Sequence, residues 1–160
     1  MIHMTISYVH HAHLRIEFED CDSMGVVYHP NYLRFIERSR VDFLRIHGLP
    51  FTSMLNLGFG MVIGEIHSFY WRPARFEEKL HVYTRQVSFG GKKLAIEQMI
   101  VQEKLSEHEQ TAPMNRLPGR VFGATVQLTC IELASMRSSL FPDDIAKILS
   151  GLTTQLRIRP

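Results

Sequence analysis

Cysteine is scarce: Cys21 and Cys130 stand far apart in 160 residues, and neither belongs to a CxxC spacing. That pattern offers neither a disulfide framework nor a thiolate zinc site, and it fits a reducing cytosol. No apolar run approaches the ~20 residues that a membrane span requires. Met1 to His13 carries polar residues and histidines where a secretory signal would have its apolar stretch, so no signal peptide is expected and the protein reads as soluble and cytoplasmic. Clustered positive charge is also missing. Lys and Arg never gather beyond pairs and the formal net charge is only +2, which argues against nucleic acid as a partner. Internal repeats and a Pro/Gly/Ser-rich linker are absent too. The chain therefore reads as one domain, 1–160, large enough to bury roughly 70% of its unfolded-chain surface.

What is present is ordinary for a globular protein: 45% hydrophobic and 21% charged residues. His11 to Glu19 alternates, with Leu14, Ile16 and Phe18 on one face, and predicts a half-buried strand. Asn31 to His47 is the strongest helix. Tyr32, Phe35, Ile36, Ser39, Phe43 and Ile46 make its small-or-apolar stripe, and Leu33, Val41 and Leu44 widen it. Arg38 and Asp42 are spaced to pair on its exposed flank; Gly48 and Pro50 end it. Phe51 to Leu57 suggests a short helical turn. Strands are expected over Met61 to Trp71, Lys79 to Phe89 and Lys93 to Gln102, the last two joined by a Gly90-Gly91 hairpin turn. Ser106 to Gly119 is polar with two prolines and reads as a loop. A last strand spans Arg120 to Ile131, a short helix Pro142 to Leu149, and Thr153 to Pro160 a frayed tail. One broad-faced helix against antiparallel strands is an α+β arrangement, and five strands wrapping the helix would cover it.

Between the first strand and the long helix lies Glu19-Asp20-Cys21-Asp22-Ser23-Met24-Gly25-Val26-Val27-Tyr28-His29-Pro30-Asn31-Tyr32. Gly25 permits a tight or positive-φ bend, and Pro30 suits a helix start. The stretch delivers a carboxylate beside unpaired helix N-terminal N–H groups, the two elements acyl transfer needs. An aspartate before a helix commonly serves as an Asx-turn or cap, so structure and catalysis are both open readings for Asp22. Asp20 is expected to hydrogen-bond the turn backbone or pair with an Arg. His10-His11-x-His13 sets His11 and His13 on one strand face; with no carboxylate or Cys at useful spacing, an ordinary strand start is expected and no metal. No cofactor is expected.

This stretch, continuing through Phe35, Glu37-Arg38 and Arg40, resembles the signature of the 4-hydroxybenzoyl-CoA thioesterase family of hotdog-fold proteins, which includes the Tol-Pal-associated acyl-CoA thioesterases. Trp71-Arg72-Pro73-Ala74-Arg75-Phe76-x-Glu78 resembles the family's second hallmark. The likeness covers about residues 12–131, with the short helix and tail at 141–160 outside it. It implies a hotdog fold, a five-stranded antiparallel sheet wrapped around one long helix. It further implies a homodimer or homotetramer with active sites at subunit interfaces, acyl-CoA as substrate, and hydrolysis of its thioester to free acid and CoA. By the same resemblance Asp22 is the essential carboxylate, as base or nucleophile, and the His29 N–H polarises the carbonyl. Gly25, Val27, Tyr28 and Asn31 are the expected substrate-binding positions. Lys92 and Lys93, past the hairpin turn, are the expected CoA-binding pair, and Arg72 and Arg75 weaker candidates. An acyl-carrier protein is a further possible partner.

The chain departs from the family at Ser23-Met24, where small residues are usual, at Phe69, and in a longer 106–119 loop. Cys21 and Pro30 resemble aromatic-acyl members, whereas Glu19 and His29 resemble short-acyl members. Two rival readings stand beside hydrolysis: a dehydratase or hydratase of acyl thioesters on the same fold, and a non-catalytic module binding acyl-CoA or acyl-carrier protein.

Overall fold

The computed structural model describes residues 7–155. In chain order it has β1 (His10–Arg15), α1 (Asn31–Ile46), α2 (Phe51–Asn56), β2 (Phe59–Tyr70), β3 (Lys79–Gly90), β4 (Lys93–Val101), β5 (Arg120–Glu132), β6 (Arg137–Ser138) and α3 (Asp143–Gln155). Five long strands pair antiparallel in the order β1-β3-β4-β5-β2, and the two-residue β6 adds to the end of β5. The sheet is the expected one with this small sixth strand appended. It curls around α1 as in the hotdog fold, with the expected mixture of helix and antiparallel strands. Two elements differ from the expectation: α3 runs to Gln155, well past Leu149, and β1 ends at Arg15, short of Glu19. The expected tail beyond Gln155 lies outside the described residues.

The helix stripe is buried as its spacing predicts, from Tyr32, Phe35 and Ile36 through Ser39 and Phe43. These side chains meet alternate residues of the strands, among them Leu80, Val82, Ile96, Ile100, Phe122 and Val126. Ile46 and Val41 are exposed instead of buried. Asp42 does not pair with Arg38: it accepts a 3.0 Å hydrogen bond from His10 Nε2 and an ion pair from Arg45. His10 enters β1 on the helix side, so the interior claims Asp42 before the surface does.

Through the apolar contact runs a buried polar row. Ser39 Oγ lies 3.1 Å from Thr84 Oγ1, Gln98 Nε2 donates to Thr84 Oγ1 (3.0 Å) and to the Ile36 carbonyl (2.7 Å), and Arg40 donates to Gln98 Oε1 (3.0 Å). Each buried polar atom so paired avoids a desolvation cost of about 1–3 kcal/mol. The row also fixes which residue of α1 faces which strand.

The opposite face carries a second buried group: Tyr8, Tyr83, Met99, Val101, Leu105 and Leu117, with Trp71, Ala112 and Met114 packed against it. The long connection after β4 builds its cover through two short 3₁₀ turns, Glu109–Thr111 and Met114–Arg116. The Leu105 N–H donates to Tyr83 Oη at 2.9 Å. On this face too lie His11, His13 and His81; burial first, then its two imidazole neighbours, pushes His11 down to about 4.

Gly123 of β5 sits under this cover. A Cβ there would stand 2.6 Å from both Met99 Sδ and Met114 Sδ and 2.8 Å from Trp71 Cζ3. Gly123→Ala is therefore expected to destabilise by about 1–3 kcal/mol through overpacking, read as a lower urea midpoint at unchanged slope.

Candidate active site

The chain leaves β1 with Ile16 buried and bonded both ways to the connector before β3: its N–H donates to the Glu78 carbonyl (3.0 Å) and its carbonyl accepts the Glu77 N–H (2.9 Å). A short 3₁₀ turn, Phe18–Asp20, follows, closed by Asp20 Oδ2 accepting the Glu17 N–H at 2.9 Å. That turn ends the alternation and swings Phe18 outward, 79% exposed instead of joining Leu14 and Ile16. Asp20 thus serves the backbone. Its carbonyl also receives the Tyr28 N–H (2.9 Å) and Asn31 Nδ2 (3.0 Å).

Between these anchors Cys21 and Val27 form an antiparallel bridge around a tight loop. The Asp22 N–H donates to the Val26 carbonyl and the Gly25 N–H to the Asp22 carbonyl, each at 2.9 Å. Gly25 has φ 72° with nothing near a prospective Cβ, so backbone conformation alone asks for glycine there. Asp22 Oδ1 accepts the Met24 N–H at 2.8 Å, an Asx turn. Its Oδ2 has no partner among the described residues. Seven residues on, the His29 N–H donates to no acceptor among the described residues, while its carbonyl receives Tyr70 Oη at 3.2 Å. The His29 ring stands edge-on to Tyr28, centroids 4.9 Å apart. The two side chains of Asp22 and His29 make no hydrogen bond with each other; the same loop carries both.

Ala74 holds the loop to the body of the protein. Its carbonyl accepts the Val27 N–H and its N–H donates to Tyr32 Oη, both at 2.9 Å. Tyr32 stacks on Phe122 (5.2 Å between centroids), and Tyr70 meets both rings edge-on. Arg72 is spent on Glu78, with Nη2 to Oε2 at 2.6 Å and Nη1 to Oε1 at 3.3 Å. That pairing holds the Glu78 carboxyl below its ordinary range.

Of the expected site residues, Asp22, Gly25, Val27, Tyr28, His29 and Asn31 lie together on this loop, Val27 buried and Asn31 bonded to Asp20. Lys92 and Lys93 do not join them. They sit at the hairpin end of β3 and β4, whereas the loop meets the chain at the Lys79 end of β3, and Lys92 Nζ donates to the Ser138 carbonyl at 3.2 Å. Tyr70 and Ala74 join the site through contacts across the fold that local spacing does not reveal; the Trp71–Glu78 motif around Ala74 is the signal the sequence offers.

A family model described as thioesterase-like superfamily matches residues 16–149. An acyl-CoA thioester hydrolase, YbgC, of Escherichia coli is 28% identical over 132 residues, covering 82% of this chain and 89% of that one. An acyl-CoA thioesterase YbgC of Haemophilus influenzae is 29% identical over 135 residues, covering 82% and 88%. Among solved structures, a probable thioesterase from Bartonella henselae superposes with TM-score 0.69 at 26% identity, over 83% of this chain and 98% of that one. A hypothetical protein from Thermus thermophilus reaches TM-score 0.76 at 25% identity, over 89% and 98%.

Two outcomes test this account of the loop's anchorage. Tyr32→Phe strands the buried Ala74 N–H and is expected to cost about 1–3 kcal/mol in urea unfolding. For Glu78, a pKa held below the unfolded value gives stability that is present above the ordinary value of 4.5 and lost as pH falls through the folded pKa. Glu78→Gln should therefore melt below wild type near neutral pH, with the gap closing in acid.

Proposed function

Since the chain belongs to the thioesterase-like superfamily, we propose that it is an acyl-CoA thioesterase in which Asp22 activates water, or itself attacks, and the His29 N–H stabilises the oxygen of the thioester carbonyl. That the chain is a thioester hydrolase follows from its family and its YbgC relatives. One observation supports the residue assignment: Asp22 Oδ2 and the His29 N–H both lack a partner among the described residues, on a loop held in place by the Asp22–Val26, Val27–Ala74 and Tyr28–Asp20 backbone hydrogen bonds.

As general base, Asp22 takes a proton from water while the water oxygen bonds to the carbonyl carbon. The carbonyl electrons move onto oxygen, facing the His29 N–H, a donor of a kind whose loss costs about 3 kcal/mol of barrier. Collapse re-forms the C=O and breaks the C–S bond, and the leaving thiolate of CoA is protonated. As nucleophile, the carboxylate would form a mixed anhydride that water then cleaves. In single-turnover hydrolysis in ¹⁸O-water, label in Asp22 marks the second route, arising when water attacks the Asp22 carbonyl carbon of the anhydride.

The acyl group we assign is short-chain or aromatic. Met24 and Tyr28, exposed beside the loop, would line it together with Gly25, Val27 and Asn31. The protein would act as a homodimer or homotetramer. The outer edge of β2 has no neighbouring strand among the described residues, and Val62, Ile63, Phe69 and Tyr70 are exposed along that strand. Lys92 and Lys93 would then serve CoA phosphates at a neighbouring subunit's site, or an acyl-carrier protein. The whole chain, 1–160, would act as one cytoplasmic domain; no helix among the described residues is long and apolar enough to cross a membrane.

Thiol release from aliphatic and aromatic acyl-CoAs tests the proposal. Asp22→Asn is expected to lower kcat by on the order of 10²–10⁴-fold. Because Asn keeps an oxygen for the Met24 N–H, the melting temperature should stay close to wild type. Equal rates in both proteins would overturn the assignment of Asp22.

A further inference from the structure

We propose that His11, His13 and His81 form a binding site for an imidazole-preferring divalent transition-metal ion on the sheet face opposite α1. The site is separate from the Asp22 loop and independent of the function proposed for it.

The register assembles it. His13 is directly opposite His81 in the β1–β3 ladder, and His11, two residues along, is opposite Tyr83. Residues two apart on a strand share a face, so three imidazoles converge at adjacent positions of two strands. Their rings make a nearly even triangle: 4.8 Å between the His11 and His13 centroids, 5.1 Å for His11 and His81, 5.1 Å for His13 and His81. One donor atom from each lies within 4.8 Å of the others, and His11 Nε2 is 2.8 Å from His81 Nδ1. A tetrahedral ion with arms of about 2.0–2.1 Å needs donor nitrogens about 3.3 Å apart, a spacing that these distances bracket. Small side-chain rotations would therefore close the site.

The chemistry of the cluster selects the ion. No carboxylate belongs to it, so oxygen-seeking Mg²⁺ and Ca²⁺ have nothing to hold. Lys104 is near enough for its charge to act on both His11 and His81, which works against an ion held by charge alone. Three nitrogen lone pairs instead suit Zn²⁺, Ni²⁺ or Cu²⁺, and three histidines leave at least one coordination position for water. His13 is exposed to solvent, which leaves that position accessible. Tyr83 stacks on His11 at 4.6 Å and 14° and holds its ring plane. Whichever ring donates the His11–His81 hydrogen bond moves that proton to its other nitrogen when the ion arrives.

The test uses the untagged full chain stripped with EDTA, because a polyhistidine tag would bind the same ions. Titration calorimetry with ZnCl₂ should show one ion per chain, and CoCl₂ should give visible bands of a four- or five-coordinate nitrogen site. His13→Gln and His81→Gln should each weaken Zn²⁺ by at least about tenfold and remove the Co²⁺ bands. Both variants should melt with wild type in EDTA and lack only the rise that Zn²⁺ produces. Asp22→Asn should bind Zn²⁺ as wild type does. No saturable Zn²⁺ uptake by wild type, or uptake unchanged in both histidine variants, would overturn the proposal.

Discussion

The candidate site depends on a single backbone clamp. Ala74 gives its carbonyl to the Val27 N–H and its N–H to Tyr32 Oη, and it is fully buried while doing so. Tyr32 belongs to the helix that follows the loop, Val27 to the loop itself, and Ala74 to the connector before β3. The loop and the start of the helix are thereby both fixed to one residue of a distant connector. Around it, Arg72 and Glu78 lock the connector, and Ile16 ties the end of β1 to the same segment. With the loop held by these anchors, the Asp22 carboxylate and the His29 N–H keep fixed positions although neither is fully paired.

Further from the loop, the polar row of Ser39, Thr84, Gln98 and Arg40 sets how α1 lies in the curled sheet. An apolar helix face alone would tolerate sliding along the strands. A side-chain donor aimed at the Ile36 carbonyl does not. Sliding would leave buried groups unpaired, so the helix start, and the His29 N–H just before it, are held in register with the sheet.

Much of this was legible from the order of residues. The stripe from Tyr32 to Phe43 has helical spacing, and the strands from β2 to β5 lie within a few residues of where β-branched and aromatic runs place them. The Asp22–Asn31 loop was legible as a strand–turn–helix junction. What was not legible depended on contacts between distant segments. Phe18 continues the alternation of β1 in sequence, yet the Glu17–Asp20 turn rotates it to solvent. Asp42 has the spacing to reach Arg38, yet His10 arrives from β1. His11 and His13 looked like a bare pair because His81, opposite in the ladder, is far away along the chain. Tyr70 reaches the His29 carbonyl from the end of another strand. Local periodicity records which face a residue takes within its own element and carries nothing about what the fold sets against that face.

The strand order also bears on how the chain finds its structure. Among the five long strands only β3 and β4 are joined by a tight hairpin; His10 must find Thr84, and Phe59 must find Glu132, across long intervening segments. Closing such loops costs entropy before any contact returns it, and topologies dominated by distant pairings fold slowly. The Val27–Ala74 bond belongs to this class. A newly made chain therefore carries β2 unpaired, and β4 open along one edge, until β5, which pairs with both, has emerged.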